Sequence, residues 1–89
     1  MDKALKKFIE RQLYRFNLFP TLLLVLEELP TWEARAEAFN AVGIKTLSGR
    51  SWTKGNLHAL YKSYYSENGG RYSHREHADQ LKQLETLVA

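Results

Sequence analysis

Eight side chains between residues 45 and 71 of this 89-residue chain point to one kind of chemistry. Lys45, Arg50, Lys54, Lys62 and Arg71 are cationic, and Ser51, Asn56 and His58 place neutral hydrogen-bonding groups among them. Clustered cations attract a polyanion, while interleaved amide, imidazole and ammonium groups can donate to phosphate oxygens or to base edges. The charge is concentrated in this stretch. Residues 45–75 carry Lys45, Arg50, Lys54, Lys62, Arg71 and Arg75 against Glu67 alone, a balance of +5. Residues 1–44 carry six basic side chains (Lys3, Lys6, Lys7, Arg11, Arg15, Arg35) against six acidic ones (Asp2, Glu10, Glu27, Glu28, Glu33, Glu37). From Glu76 onward, Lys82 stands against Glu76, Asp79 and Glu85. The net +3 of the whole chain therefore arises in one third of it. A solvated basic face without a partner is the plainer account of such a run.

The elements that must carry these residues read as helices. Leu5, Ile9, Leu13 and Phe16 recur at helical intervals, with Phe8 alongside, and predict a first helix over residues 3–17. Pro20-Thr21 and Pro30-Thr31 each look like a stop followed by an N-cap. They frame a short, nearly all-apolar helix at 21–29, expected to be the most buried element, and open a third at 31–42. Glu33 falls in the first turn of that third helix, where the dipole favours a negative charge. A fourth helix is expected at 53–66, ended by Gly69-Gly70, and Leu81, Leu84 and Val88 stripe a last one at about 73–87. No run alternates apolar and polar residues over several positions, so strands are not expected. The expected fold is all-α: one domain over 1–89, a small bundle of about five helices containing a helix-turn-helix at about 31–66.

Within that span the local signals are specific. Gly43 stands where a helix C′ residue should, free to take a positive φ, and Ile44 is expected to turn back into the core. Trp52 precedes Thr53, the expected N-cap of the next helix, and can staple its start to the core. Both Trp52 and Trp32 read as core anchors, with base stacking the minor alternative. On the fourth helix Leu57, Leu60, Tyr61 and Tyr64 share one face. The opposite face offers Gly55, Ala59, Lys62 and Ser66, flanked by Asn56, His58 and Ser63, with no acidic residue before Glu67. Small side chains would let this helix approach the floor of a groove. Asn56 could instead serve the helix cap, His58 could be a neutral surface residue, and Arg71 could belong to a plain exposed linker.

The order Ala36-x-x-Phe39-Asn40-x-x-Gly43-Ile44, then Thr46-x-x-Gly49-x-x-Trp52-Thr53, then Leu57 and Leu60, resembles a known module. It is similar to the helix-turn-helix in the "recombinase" DNA-binding domain of large serine recombinases. Phe39 stands where that family usually has Leu, and no Pro precedes Thr46. The match spans residues 36–60, and the family's serine-nucleophile catalytic domain has no counterpart in these 89 residues. The resemblance implies binding to double-stranded DNA and gives no warrant for strand cleavage. It also suggests a small transcriptional regulator or recombination accessory factor from a mobile element.

Other chemistries find less support. His74 and His77 have a metal-compatible spacing, with Asp79 and His58 as further candidates, but there is neither cysteine nor a glutamate-flanked zinc motif. No Gly-rich phosphate loop and no distinguishable Ser–His–Asp set appear, so no catalysis and no cofactor are expected. The N-terminus resembles no export signal, and the apolar run Leu22–Leu26 is too short for a bilayer, so a cytoplasmic protein is expected. Asn56, His58 and Lys62 are expected to meet bases or nearby phosphates, with Lys45, Arg50, Ser51, Lys54 and Arg71 on the backbone. A homodimer would let two such helices reach half-sites about 34 Å apart. The alternatives are a helical module docking a larger protein, such as a polymerase or recombinase, and a reader of structured RNA.

Overall fold

A computed structural model describes residues 3–66 and 71–88. Four helices make up its regular structure: α1 (Lys3–Glu28), α2 (Trp32–Ala41), α3 (Lys54–Ser66) and α4 (His74–Val88). No strand occurs among the described residues, and no helix among them is long and apolar enough to cross a membrane. The Gly69-Gly70 stop lies outside the described residues, as do the side chains of Ser66 and Val88.

The count of four corrects the expectation of about five. The break expected at Pro20-Thr21 does not occur: α1 runs through Pro20 without interruption. Proline removes one hydrogen bond, here the one that would reach the Phe16 carbonyl, and its ring crowds that turn, at a cost of about 3 kcal/mol. Leu18, Phe19 and Leu22 flank it and are all buried. Each contributes roughly 1.5–3 kcal/mol when fully buried, so continuing the helix outweighs the local penalty. The 21–29 segment is also less buried than expected. Leu22 is fully enclosed, but Leu23 and Leu24 are exposed, Leu24 by 59%.

The chain divides into two compact units: Met1–Phe19 with Ser73–Ala89, and Pro20–Tyr72. In the first, α1 meets α4 through aromatic and imidazole rings. The Phe16 ring lies flat on His74 at 3.9 Å between centroids and meets His77 edge-on at 5.5 Å. His77 is buried, and its Nε2 lies 2.9 Å from the Gln12 Oε1. Ser73 caps α4, its hydroxyl accepting from the Glu76 N–H. His74 and His77, spaced as metal ligands in the sequence, are thus placed against Phe16 and Gln12. Among the described residues no group of three or more His, Cys, Asp or Glu is arranged to hold a metal ion.

In the second unit α2 and α3 pack against each other, with Ala36, Phe39, Trp52, Leu57 and Tyr64 buried. Thr31 caps α2 as expected, accepting from the Ala34 N–H at 3.1 Å. The Arg35 guanidinium turns back to the end of α1 and donates from Nε to the Leu29 carbonyl at 2.9 Å. It satisfies an oxygen that the helix end leaves without an internal partner and brings a cation to the negative pole of α1.

Candidate nucleic-acid interface

The direction of α3 is set by the connection that leads to it. α2 ends in a Schellman arrangement: the Gly43 N–H donates to the Asn40 carbonyl and the Ile44 N–H to the Phe39 carbonyl. Gly43 sits at φ +80°, where an L side chain would be strained. Residues 46–50 then close on themselves. The Thr46 N–H donates to the Arg50 carbonyl at 2.9 Å, the Arg50 N–H returns to the Thr46 hydroxyl at 2.9 Å, and Gly49 turns the chain at φ +84°. Lys45, Arg50 and Ser51 ride on this closed turn and are all exposed.

Asn40 couples the turn to α2. Its Oδ1 accepts from the Trp52 N–H at 2.7 Å, and its Nδ2 donates to the Trp52 carbonyl at 2.9 Å, so one amide holds both polar groups of a single residue. The Trp52 ring is buried, 6% exposed, and meets Phe39 edge-on at 5.5 Å. Among the described residues its buried indole N–H has no hydrogen-bond partner. The ring therefore serves for its area rather than its donor. Trp52 is the core anchor the sequence predicts. Trp32 is only half-buried, with the Arg35 guanidinium 4.6 Å above its ring.

α3 opens with a reciprocal cap. The Thr53 hydroxyl accepts from the Asn56 N–H at 3.2 Å, while the Asn56 Oδ1 accepts from the Thr53 N–H at 2.7 Å. Its faces largely follow the sequence pattern: Leu57 and Tyr64 are fully buried, Leu60 and Tyr61 half-buried, and Gly55, Ala59 and Lys62 exposed. A third stripe was not foreseen. His58, Tyr61 and Tyr65 run along α3 on the side that receives Trp32, with His58 4.8 Å and Tyr61 5.3 Å from the Trp32 ring. Tyr65 packs 4.9 Å from Tyr61, and burial, reinforced by Tyr61, raises its phenol pKa above the ordinary value.

The eight candidate residues therefore fall into two groups. Lys45, Arg50, Ser51, Lys62 and Arg71 are exposed on the connection, on α3 and just before α4. Arg71 adjoins Tyr72, whose ring meets Tyr64 at 5.0 Å. The other three take part in contacts that shape the start and one side of α3. Asn56 completes the cap, His58 lies on Trp32, and the Lys54 Nζ sits 3.3 Å from the Glu33 Oε1. Glu33 and Glu37 lie one turn apart on α2 and, with Asn40, Thr53 and Lys54, line an open depression of about 230 Å³. Acidic groups thus flank the first turn of α3 although α3 itself contains none from Lys54 to Ser66. Their proximity joins residues 21 apart in the chain, and periodicity along α3 alone carries no sign of it.

No protein-family model, curated protein or solved structure matches this chain.

Proposed function

We propose that this chain is a double-stranded DNA-binding protein in which α2, the 42–53 connection and α3 act as a helix-turn-helix. In this reading it binds and does not catalyse, as a small transcriptional regulator or recombination accessory factor. The observation that carries the reading is the exposed face Gly55–Ala59–Lys62 on a helix without acidic residues, carried by a connection whose backbone is tied at Asn40, Thr46 and Thr53. Glycine and alanine leave that face low enough for a helix axis to approach a groove floor, and Lys62 stands beside them as a donor. Lys45, Arg50 and Ser51 on the closed turn, with Arg71, take the phosphates on either side. Asn56 and His58 are left out of base reading because the cap and the Trp32 ring hold them.

The test is duplex affinity of folded variants. Lys62→Glu and Arg50→Glu should each weaken binding by about tenfold or more, since each removes a phosphate or base contact and adds a repelling charge. Lys82→Glu, at an exposed position of α4, is the control for a charge change in the other unit. Equal affinity for the wild type and both variants would reject the placement.

A second reading rests on the aromatic stripe. Trp32, Arg35, His58, Tyr61 and Tyr65 are all half-buried and linked in a chain of contacts, Arg35 over Trp32, Trp32 with His58 and Tyr61, and Tyr61 with Tyr65. Trp, Tyr and Arg dominate the energetic centres of protein interfaces. Docking to a larger protein through this stripe would be insensitive to Lys62→Glu and sensitive to Tyr65→Ala.

A further inference from the structure

We infer that Glu33 is a guard on the first turn of α3: by pairing with Lys54 it keeps that end of the helix from taking a phosphate, so that DNA is met through Lys62 and the 45–51 turn. The inference rests on the DNA-binding reading above and specifies which end of the site the backbone engages.

Three observations combine. First, a helix N-terminus with a basic residue is ordinarily a good place for an anion, because its free N–H groups and its dipole both favour negative charge. In α3 that place is partly furnished from within. Thr53 and Asn56 take each other's N–H groups in the reciprocal cap. Second, the Lys54 ammonium, the cation nearest this end in the chain, is directed at the Glu33 carboxylate at 3.3 Å. Third, Glu37 lines the same depression one turn further along α2, so an incoming phosphate would meet a second carboxylate after displacing the first. Like charges across a contact oppose association.

The pair itself is soft. Both side chains are more than two-thirds exposed, 68% for Lys54 and 69% for Glu33, and ion pairs in that setting hold weakly. Glu33 therefore contributes little to the stability of the fold and acts as a competitor for Lys54 that a phosphate must displace. Releasing Lys54 adds one cation to the interface. Each added phosphate contact steepens the dependence of log affinity on log salt by about 0.9 for B-form DNA.

The experiment measures affinity for a random-sequence duplex across a salt series for the wild type, Glu33→Gln, Lys54→Ala and the double variant, with circular dichroism to verify folding. Glu85→Gln, an exposed residue of α4 in the other unit, controls for loss of one negative charge. Glu33→Gln should bind several-fold more tightly at low salt and with a slope steeper by about one, whereas Glu85→Gln should change neither appreciably. The gain should vanish in the Lys54→Ala background. A Glu33→Gln protein no tighter than a DNA-binding wild type overturns the guard and leaves the DNA reading standing. A gain that survives Lys54→Ala overturns the guard as well, since Glu33 would then act by general repulsion. Absence of duplex binding by every folded variant overturns the DNA reading, and the guard with it.

Discussion

Both units of this protein pack rings against one another, but they differ in how their backbone is tied. Between α2 and α3, order comes from polar groups directed at backbone: Asn40 on Trp52, Thr46 on Arg50, and Thr53 with Asn56 on each other. Between α1 and α4 the contacts are side chain to side chain: Phe16 lies flat on His74 and edge-on to His77, and His77 shares a hydrogen bond with Gln12. Ring stacking buries area but tolerates small slides, whereas directional hydrogen bonds fix where a chain points. The difference teaches that the 42–53 connection fixes the direction of α3 through directional bonds to backbone, whereas the α1–α4 contact rests on side chains alone.

Substitutions can break that contrast. The largest effect is expected at Trp52. Trp52→Ala removes a buried ring from the Phe39 contact and should cost about 3–5 kcal/mol in denaturant unfolding. Trp52→Phe should cost clearly less, because it keeps much of the ring and removes a buried N–H that has no partner among the described residues. Equal losses for the two would mean that the indole N–H contributes after all. Next is Asn40→Ala, which strips the hydrogen bonds from both backbone groups of Trp52 and should cost about 2 kcal/mol. It should also lower duplex affinity at temperatures where the protein remains folded, since α3 loses its fixed bearing. Smaller still is Phe16→Ala, about 1–2 kcal/mol for a half-buried ring. It should leave duplex affinity of the folded protein unchanged. If Phe16→Ala and Asn40→Ala reduced affinity alike, the contrast between a presenting unit and a packing unit would fail.

What could be seen in the sequence was what depended on near neighbours. Thr31 and Thr53 as caps and Gly43 as the C′ residue each follow from a few adjacent positions, and all three stand where the pattern placed them. The buried face of α3 was legible from helical spacing, with Leu57 and Tyr64 at its centre. Pro20 misled because a proline's local penalty competes with burial that only the folded chain reveals. Asn40 was visible as part of a motif, but its hold on Trp52 spans 12 positions and has no signature in spacing. The same holds for Lys54 and Glu33, 21 positions apart, whose pairing divides a basic run that looked uniform. His58 reads as a groove-facing donor or a neutral surface residue because Trp32, which receives it, lies on another helix.

The central claim is that exposed cations on the 45–51 turn, α3 and the 71–73 segment take DNA phosphates, and the salt dependence of duplex binding tests it most directly. With Lys45, Arg50, Lys62 and Arg71 each neutralising one phosphate, the log–log slope should be about −3.6. Affinity for a duplex of about 20 base pairs should then fall on the order of 100-fold between roughly 50 and 200 mM salt. Binding that hardly changes over that range, or no binding by the folded protein at the lower salt, would contradict the account.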